Sequence, residues 1–306
     1  GDATSTTFSG VMSGSGELIK TGAGTLTLSG ANTYSGGSTL AQGRIDVAHN
    51  SALGTGSLAL DQNATLGFAA DDLNLANDIT LTGVTGAVID TGSHDETLSG
   101  LISGAGILSK VGSGSLNLSG ANTYSGATQV NEGTLRAAAP HTFSAASAHN
   151  VANGATLDTG GFDQRVAALT NNGTVSLAGS ATGSTLTVTG PYGGQNGVLR
   201  LGTALSDSTG VSDRLELNGP GAVASGSTQL QIVNLQGLGA LTLGDGITVV
   251  SAVNGATTTA QTTKDAFSLA GGHVVAGAYE YNLYAADASG AGENWYLRST
   301  LTTVPV

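Results

Sequence analysis

The side chains able to do chemistry are few in this chain, and their spacing does not gather them. Five histidines, His49, His94, His141, His149 and His273, are scattered through 306 residues, with no spacing that would bring two of them onto one metal ion. No serine stands in G-x-S-x-G, so a nucleophile elbow is absent, and no H-E-x-x-H marks a zinc hydrolase. Ser93-His94-Asp95-Glu96 places three ionisable groups side by side, and that run reads as a solvated turn between strands. Asp71, Asp72, Asp78 and Asp90 carry charge suited to calcium, yet neither a D-x-D-x-D-G loop nor a G-G-x-G-x-D nonapeptide frames them. Carbohydrate-cleaving carboxylate pairs would need an aromatic-lined groove, and only 4% of the residues are aromatic. No catalytic, cofactor-binding or metal-ligating residue is expected.

What the sequence does carry is repetition. Ser9 to Val47 reads SGVMSGSGELIKTGAGTLTLSGANTYSGGSTLAQGRIDV, and ninety residues later Ser99 to Ala137 reads SGLISGAGILSKVGSGSLNLSGANTYSGATQVNEGTLRA. Self-similarity at a fixed offset is the mark of stacked units, each unable to bury its apolar face alone. Between turn glycines lie short alternating runs, Leu26-Thr27-Leu28 and Leu116-Asn117-Leu118, whose period of two puts both leucines on one face of a strand. No window keeps an apolar stripe at helical spacing, so almost no helix is expected. A coil of about 20 to 25 residues makes the ninety-residue offset about four coils, which would set the two copies on the same side of a stack of about a dozen coils. Asn32 and Asn122 are expected to satisfy backbone groups in their turns, and Tyr34 and Tyr124 to cover the core.

Composition agrees with a thin solenoid and narrows the partners. The chain has 49 glycines, 10% charged residues, no cysteine and a net charge of −12. An acidic surface repels phosphate backbones, so nucleic acid is excluded. The absence of cysteine rules out a disulfide scaffold. No run of eighteen apolar residues and no export leader occurs in the sequence as given. Three regions follow: 1–150 with the repeats at 9–47 and 99–137, 151–206 with further coils, and 207–306, where nearly all the large aromatics collect. Ala139 to Asn150, with Pro140, reads as a short, irregular insertion or transition at the end of the first region, or as only a long loop. Aromatics gathered at one end suggest a cap over an open solenoid end, with Tyr281, Leu283 and Trp295 as its candidate apolar cover. An ordinary core role for the same three residues stands beside that reading.

The pattern G-x-G-x-L-x-K-x-G-x-G-x-L-x-L-S-G-x-N-T-Y-S-G, framed by Gly14 to Gly36 and again by Gly104 to Gly126, resembles the autotransporter-associated β-strand repeat of type V secreted proteins in Gram-negative bacteria. The stretch from Val151 to Thr300, with GDGITVVSAVNGATTT, DAFSLAGGHVVAGAYEYNLY and ENWYLRS, is similar to the pertactin-like C-terminal passenger region called the autochaperone. The resemblance implies an all-β fold: a right-handed, single-stranded parallel β-helix with a C-terminal cap, in agreement with the handedness of parallel crossovers. It implies surface display or secretion through the periplasm and outer membrane, with the protein's own outer-membrane β-barrel as translocator. The end at Val304-Pro305-Val306 lies near where such proteins begin the linker into the barrel, so the chain reads as an excised passenger fragment. The function implied is a non-catalytic passenger stalk of an adhesin or virulence factor whose C-terminal part promotes folding and translocation. Host-cell surface, matrix or neighbouring bacterial cells are the expected partners, with weak self-association along flat polar faces. Two other readings stand: the non-catalytic C-terminal part of an exported subtilisin-like protease or lipase, and a carbohydrate-binding or carbohydrate-cleaving β-helix.

Overall fold

The computed structural model describes residues 3–83, 86–258 and 264–302; the Val304-Pro305-Val306 end lies outside them. Every regular element among the described residues is a strand, and the chain winds as a parallel β-solenoid of about nine turns. It divides into two compact units, Gly1–Thr156 and Leu157–Val306.

In the first unit, strands of two to five residues stack in three parallel ladders. One runs from Thr6–Phe8 through Thr25–Leu28, Gly43–Val47, Ala64–Phe68, Ala87–Asp90, Leu108–Val111 and Thr128–Val130 to Ala148–Val151. A second joins Leu18–Lys20, Ser38–Leu40, Leu58–Leu60, Ile79–Leu81 and Ile102–Gly104. The third joins Asn74–Leu75, Glu96–Leu98, Ser115–Leu118 and Thr134–Ala137. The Leu-x-Leu alternation explains the core: Leu40, Leu58, Leu60, Ile79 and Leu81 of the second ladder all point inward and are buried. Each such side chain contributes about 1.5–3 kcal/mol by leaving water.

The repeats do not sit where four whole coils would put them. Leu18 faces Ser38, Ser38 faces Leu58, Leu58 faces Ile79, and Ile79 faces Ile102, so four coils take the chain only from Leu18 to Ile102. The ninety-residue offset overshoots by one strand and one corner. Leu108, the counterpart of Leu18, therefore stands in the first ladder beside Ala87, and Leu116, the counterpart of Leu26, stands in the third beside Glu96. The two copies occupy different sides of the solenoid. Residues 139–147 hold no regular strand, as a loop or transition would, yet they stack on the preceding coil: Thr142 O accepts from Asn122 Nδ2 at 3.0 Å as Ala52 O accepts from Asn32 Nδ2 at 2.6 Å.

The second unit keeps parallel ladders but with larger coils. Gln164–Val166, Thr185–Val188, Arg214–Asn218 and Ile247–Val253 stack in one. In the other, Ala168–Asn171 and Thr174–Ser176 both pair with the long strand Tyr192–Thr203, which is followed by Ala224–Asn234 and Phe267–Leu269. Tyr192 faces Ala224, 32 residues on, whereas Thr25 faces Arg44, 19 residues on. Coils of that size leave room for about nine turns in place of a dozen. Within 207–302 the parallel ladders persist through Ile247–Val253 and Phe267–Leu269, and antiparallel pairing then takes over. Trp295–Leu301 lies antiparallel on Ile247–Val253, Tyr279–Ala285 on Trp295–Leu301, and Val274–Ala276 on Tyr279–Ala285.

Candidate functional site

Two constellations stand out, one in each unit: the corners built by the repeats, and the antiparallel end of the second unit. In the repeat corner an asparagine ties three coils together. Asn32 Oδ1 accepts the Met12 N–H at 2.8 Å while its Nδ2 donates to Ala52 O. Asn122 does the same between the Ile102 N–H, at 2.8 Å, and Thr142 O. Both side chains are buried, as the reading of the turns expected, because an amide offers one acceptor and two donors to backbone groups that have left water. Two residues on, Tyr34 and Tyr124 fill the core, their hydroxyls bonded to Ser38 Oγ and Thr128 Oγ1. Burial pushes the Tyr124 hydroxyl up to about 12.

The repeat lysine is the residue that sequence reasoning passed over. Lys110 occupies an inward position between Ile89 and Val130 and is fully buried. Its Nζ donates to the carbonyls of Val111, Gly112 and Glu132 at 3.0, 2.8 and 3.1 Å. Lys20 binds Thr21, Gly22 and Gln42 in the same way. The ammonium thus caps corner carbonyls of its own coil and the next. Burial pulls Lys110 down to about 8, since a charged group is disfavoured away from water. The glycines of the motif serve this corner: Gly133 has φ +60°, and a Cβ there would collide with the carbonyl oxygens of Gly112 and Gly114. The fixed K-x-G-x-G spacing carried the signal, although nothing in it says that the amine turns inward.

The acidic candidates are dispersed. Asp90 pairs with Arg44 at 2.6 Å, Asp78 Oδ1 accepts the Leu101 N–H at 2.9 Å, and Asp71 binds His94. Among the described residues no three His, Asp or Glu side chains converge as a metal ion needs. The Ser93–Glu96 run is only partly the solvated turn expected. Asp95 caps the Ser115 N–H at 2.7 Å, but Glu96 shares the inward face with Leu98 and is 0% exposed. Strand alternation, not polarity, sets its direction.

At the antiparallel end, Trp295 is buried, donates Nε1–H to Thr258 Oγ1 at 3.0 Å, and meets Phe267 edge-on with centroids 5.3 Å apart. Phe267 in turn lies 5.7 Å from Tyr192, whose hydroxyl bonds Thr228 Oγ1. Tyr281 is fully buried; its hydroxyl donates to Ser206 O at 2.7 Å and accepts the Ala240 N–H at 2.9 Å. Leu283 is half-buried opposite Leu297. Tyr281 and Trp295 therefore anchor the antiparallel strands at two different places, one on the 235–246 loop and one on the parallel core.

Sequence reasoning missed Asp213, which organises the corner between ladders in this unit. It is fully buried, and its carboxylate accepts from the N–H groups of Gly183, Ser184 and Gly202 at 2.9, 3.0 and 2.7 Å and from Ser184 Oγ at 3.0 Å. Burial raises its protonation range, against the opposing pull of those donors. Its place just before the alternating run Arg214–Leu217 was the available signal.

Comparison with known proteins supplies a context for both constellations. Residues 164–283 match the family Autochaperone Domain Type 1, and residues 18–47 and 108–137 match Passenger-associated-transport-repeat. The chain is 38% identical over 307 aligned residues to the adhesin BmaC autotransporter of Brucella suis biovar 1, an alignment covering 95% of this chain and 8% of that protein. It is 39% identical over 123 residues to the autotransporter adhesin AIDA-I of Escherichia coli, covering 40% of this chain and 9% of that one. It is 39% identical over 140 residues to the probable autotransporter YfaL of Escherichia coli, covering 45% and 10%. The chain spans at most a tenth of the length of these three relatives.

Proposed function

Because the chain belongs to the autotransporter passengers, carrying an autochaperone domain and two passenger-associated transport repeats, we propose that it is the non-catalytic stalk and folding module of a surface-displayed adhesin. The observation that carries the folding half is the change of pairing at Ile247–Val253. A parallel ladder offers its last strand as an open edge. Here Trp295–Leu301 covers that edge antiparallel and the Tyr279–Ala285 strand follows. The Trp295–Phe267–Tyr192 stack ties this closure to the core. A segment that closes its own end can hold structure before other coils exist, and nearest-neighbour stacking lets coils add to it one at a time. In this reading 207–302 folds early during passage through the protein's own outer-membrane β-barrel, and folding outside the cell biases movement outward.

The adhesin half rests on the names of the relatives, and its partner would be a cell surface or matrix. Deleting residues 207–302 from the full-length passenger should abolish surface display or leave the coils open to external protease. Normal display with full protease resistance would sink the folding role. The reading of the chain as the non-catalytic part of an exported hydrolase gains no observation of its own.

A further inference from the structure

The first unit contains one carboxyl group that the fold treats as a core residue. Glu96 lies opposite Leu116 and on the same face as Leu98, and none of it reaches solvent. Its Oε2 accepts the Leu73 N–H at 2.7 Å, and its Oε1 has no partner. Directly outside lies an acidic corner. The preceding coil brings Asp71 and Asp72, and Glu96's own turn brings Asp95 and His94, whose Nδ1 is bonded to Asp71. The following coil faces Glu96 with Leu116. Lys110 of that coil is engaged on corner carbonyls, and Glu132, one coil further on, accepts the Gly112 N–H.

We propose that Glu96 and His94 form a proton-operated latch that tightens the coil segments 71–83 and 86–98 as the surroundings pass from neutral to mildly acidic. A carboxylate with an unpartnered oxygen in an apolar interior is costly, and the neutral acid is far less so. Burial, the largest influence, raises Glu96 to about 7. The hydrogen bond to Asp71 raises His94. Both shifts have the same sign. A group whose folded range lies above its unfolded one stabilises the fold when protonated and loses that contribution as pH rises. For Glu96 the window runs from about 4.5 to about 7, and His94 adds loss above its ordinary value of 6.5. The device opposes ordinary acid denaturation, in which carboxylates held ionised must be protonated.

The test is amide hydrogen exchange by mass spectrometry on the whole chain at about pH 5.5 and about pH 8, corrected for intrinsic rate. From the Glu96 window, opening of peptides within 71–98 should be about 30-fold more frequent at the higher pH, while peptides within 25–47 serve as the control. In Glu96→Gln the ratio should fall below about threefold. In His94→Gln it should fall short of the wild-type ratio. The latch is overturned if wild-type 71–98 responds no more than the control, or if Glu96→Gln keeps the wild-type ratio. An unchanged His94→Gln ratio overturns the two-group form. Should Glu96→Gln not fold, a carbon-detected NMR titration of Glu96 in the wild-type chain decides: a midpoint near 7 supports the latch, and one in the ordinary carboxylate range near 4.5 overturns it.

Discussion

Replacing Asn122 by alanine probes the repeat corner at the place where its geometry is most complete. The side chain serves Ile102 N–H in the preceding coil and Thr142 O in the following one, and it is buried. Ile102 is itself buried in the second ladder, so its N–H would find no water in compensation. A buried donor left unsatisfied costs about 1–3 kcal/mol. Thr142 O keeps a weak bond from the Asn122 backbone N–H at 3.4 Å, so its loss is smaller, about 0.5–1 kcal/mol. The expected sum is about 1.5–4 kcal/mol, a large part of a typical domain stability of about 5–15 kcal/mol. Asn32→Ala should cost less, because Met12 lies on a more open coil. Asn122→Asp separates the two bonds: it keeps the acceptor for Ile102 but turns an oxygen toward Thr142 O, and only the protonated acid restores a donor. Its stability should therefore rise as pH falls through the carboxyl range. The assay is equilibrium denaturant unfolding read together with site-resolved exchange at Ile102. A loss for Asn122→Ala below about 0.5 kcal/mol, with Ile102 exchange unchanged, would refute the reasoning, since a surface residue would behave that way.

Gly133→Ala should destabilise by about 1–3 kcal/mol, combining left-handed φ strain with the collision against Gly112 O and Gly114 O, and denaturant midpoints check it. Asp213→Ala strands three backbone N–H groups and a hydroxyl in the second unit; a loss of about 3–5 kcal/mol in thermal unfolding is expected, with Asp213→Asn recovering only part. His149 is buried against Phe143 and held down to about 4, so its contribution is present above its ordinary 6.5 and is lost as pH falls toward 4. His149→Leu should flatten the acid limb of the melting curve, by at most about 3 kcal/mol. Because this slope opposes the Glu96 one, whole-unit melting underreports both, and local exchange resolves them.

The sequence makes the strand pattern and the corners plain for a physical reason: inward leucines, turn glycines and the buried Asn-Thr-Tyr are each fixed by local geometry. Asn32, Asn122, Tyr34 and Tyr124 accordingly sit as their types suggested. Register is different, because it sums small differences over many residues. Steps of 20, 20, 21 and 23 residues from Leu18 to Ile102 turn an apparent four-coil repeat into four coils plus a side. Short apolar-x-apolar strands fit any side of the solenoid equally well, so the copied segment was free to land on another one. Glu96 and Lys110 were hidden by a related cause. Polarity argues for exposure, while strand period places them inside, and only the neighbouring coil reveals the Leu73 N–H and the corner carbonyls that receive them. In the second unit the long strands Tyr192–Thr203 and Ala224–Asn234 broke the short-coil rhythm, which obscured how far the parallel ladders extend into 207–302.

Pulse-labelled hydrogen exchange during refolding of the purified chain addresses the folding role most directly. If the antiparallel closure makes the second unit self-supporting, peptides from Ile247–Val253, Tyr279–Ala285 and Trp295–Leu301 gain protection first, and those from the first unit follow. Trp295→Ala should then slow both phases, because the stack on Phe267 is lost. Protection appearing first in the coils of the first unit, or in both units together with no effect of Trp295→Ala, would contradict a folding module at the C-terminal end.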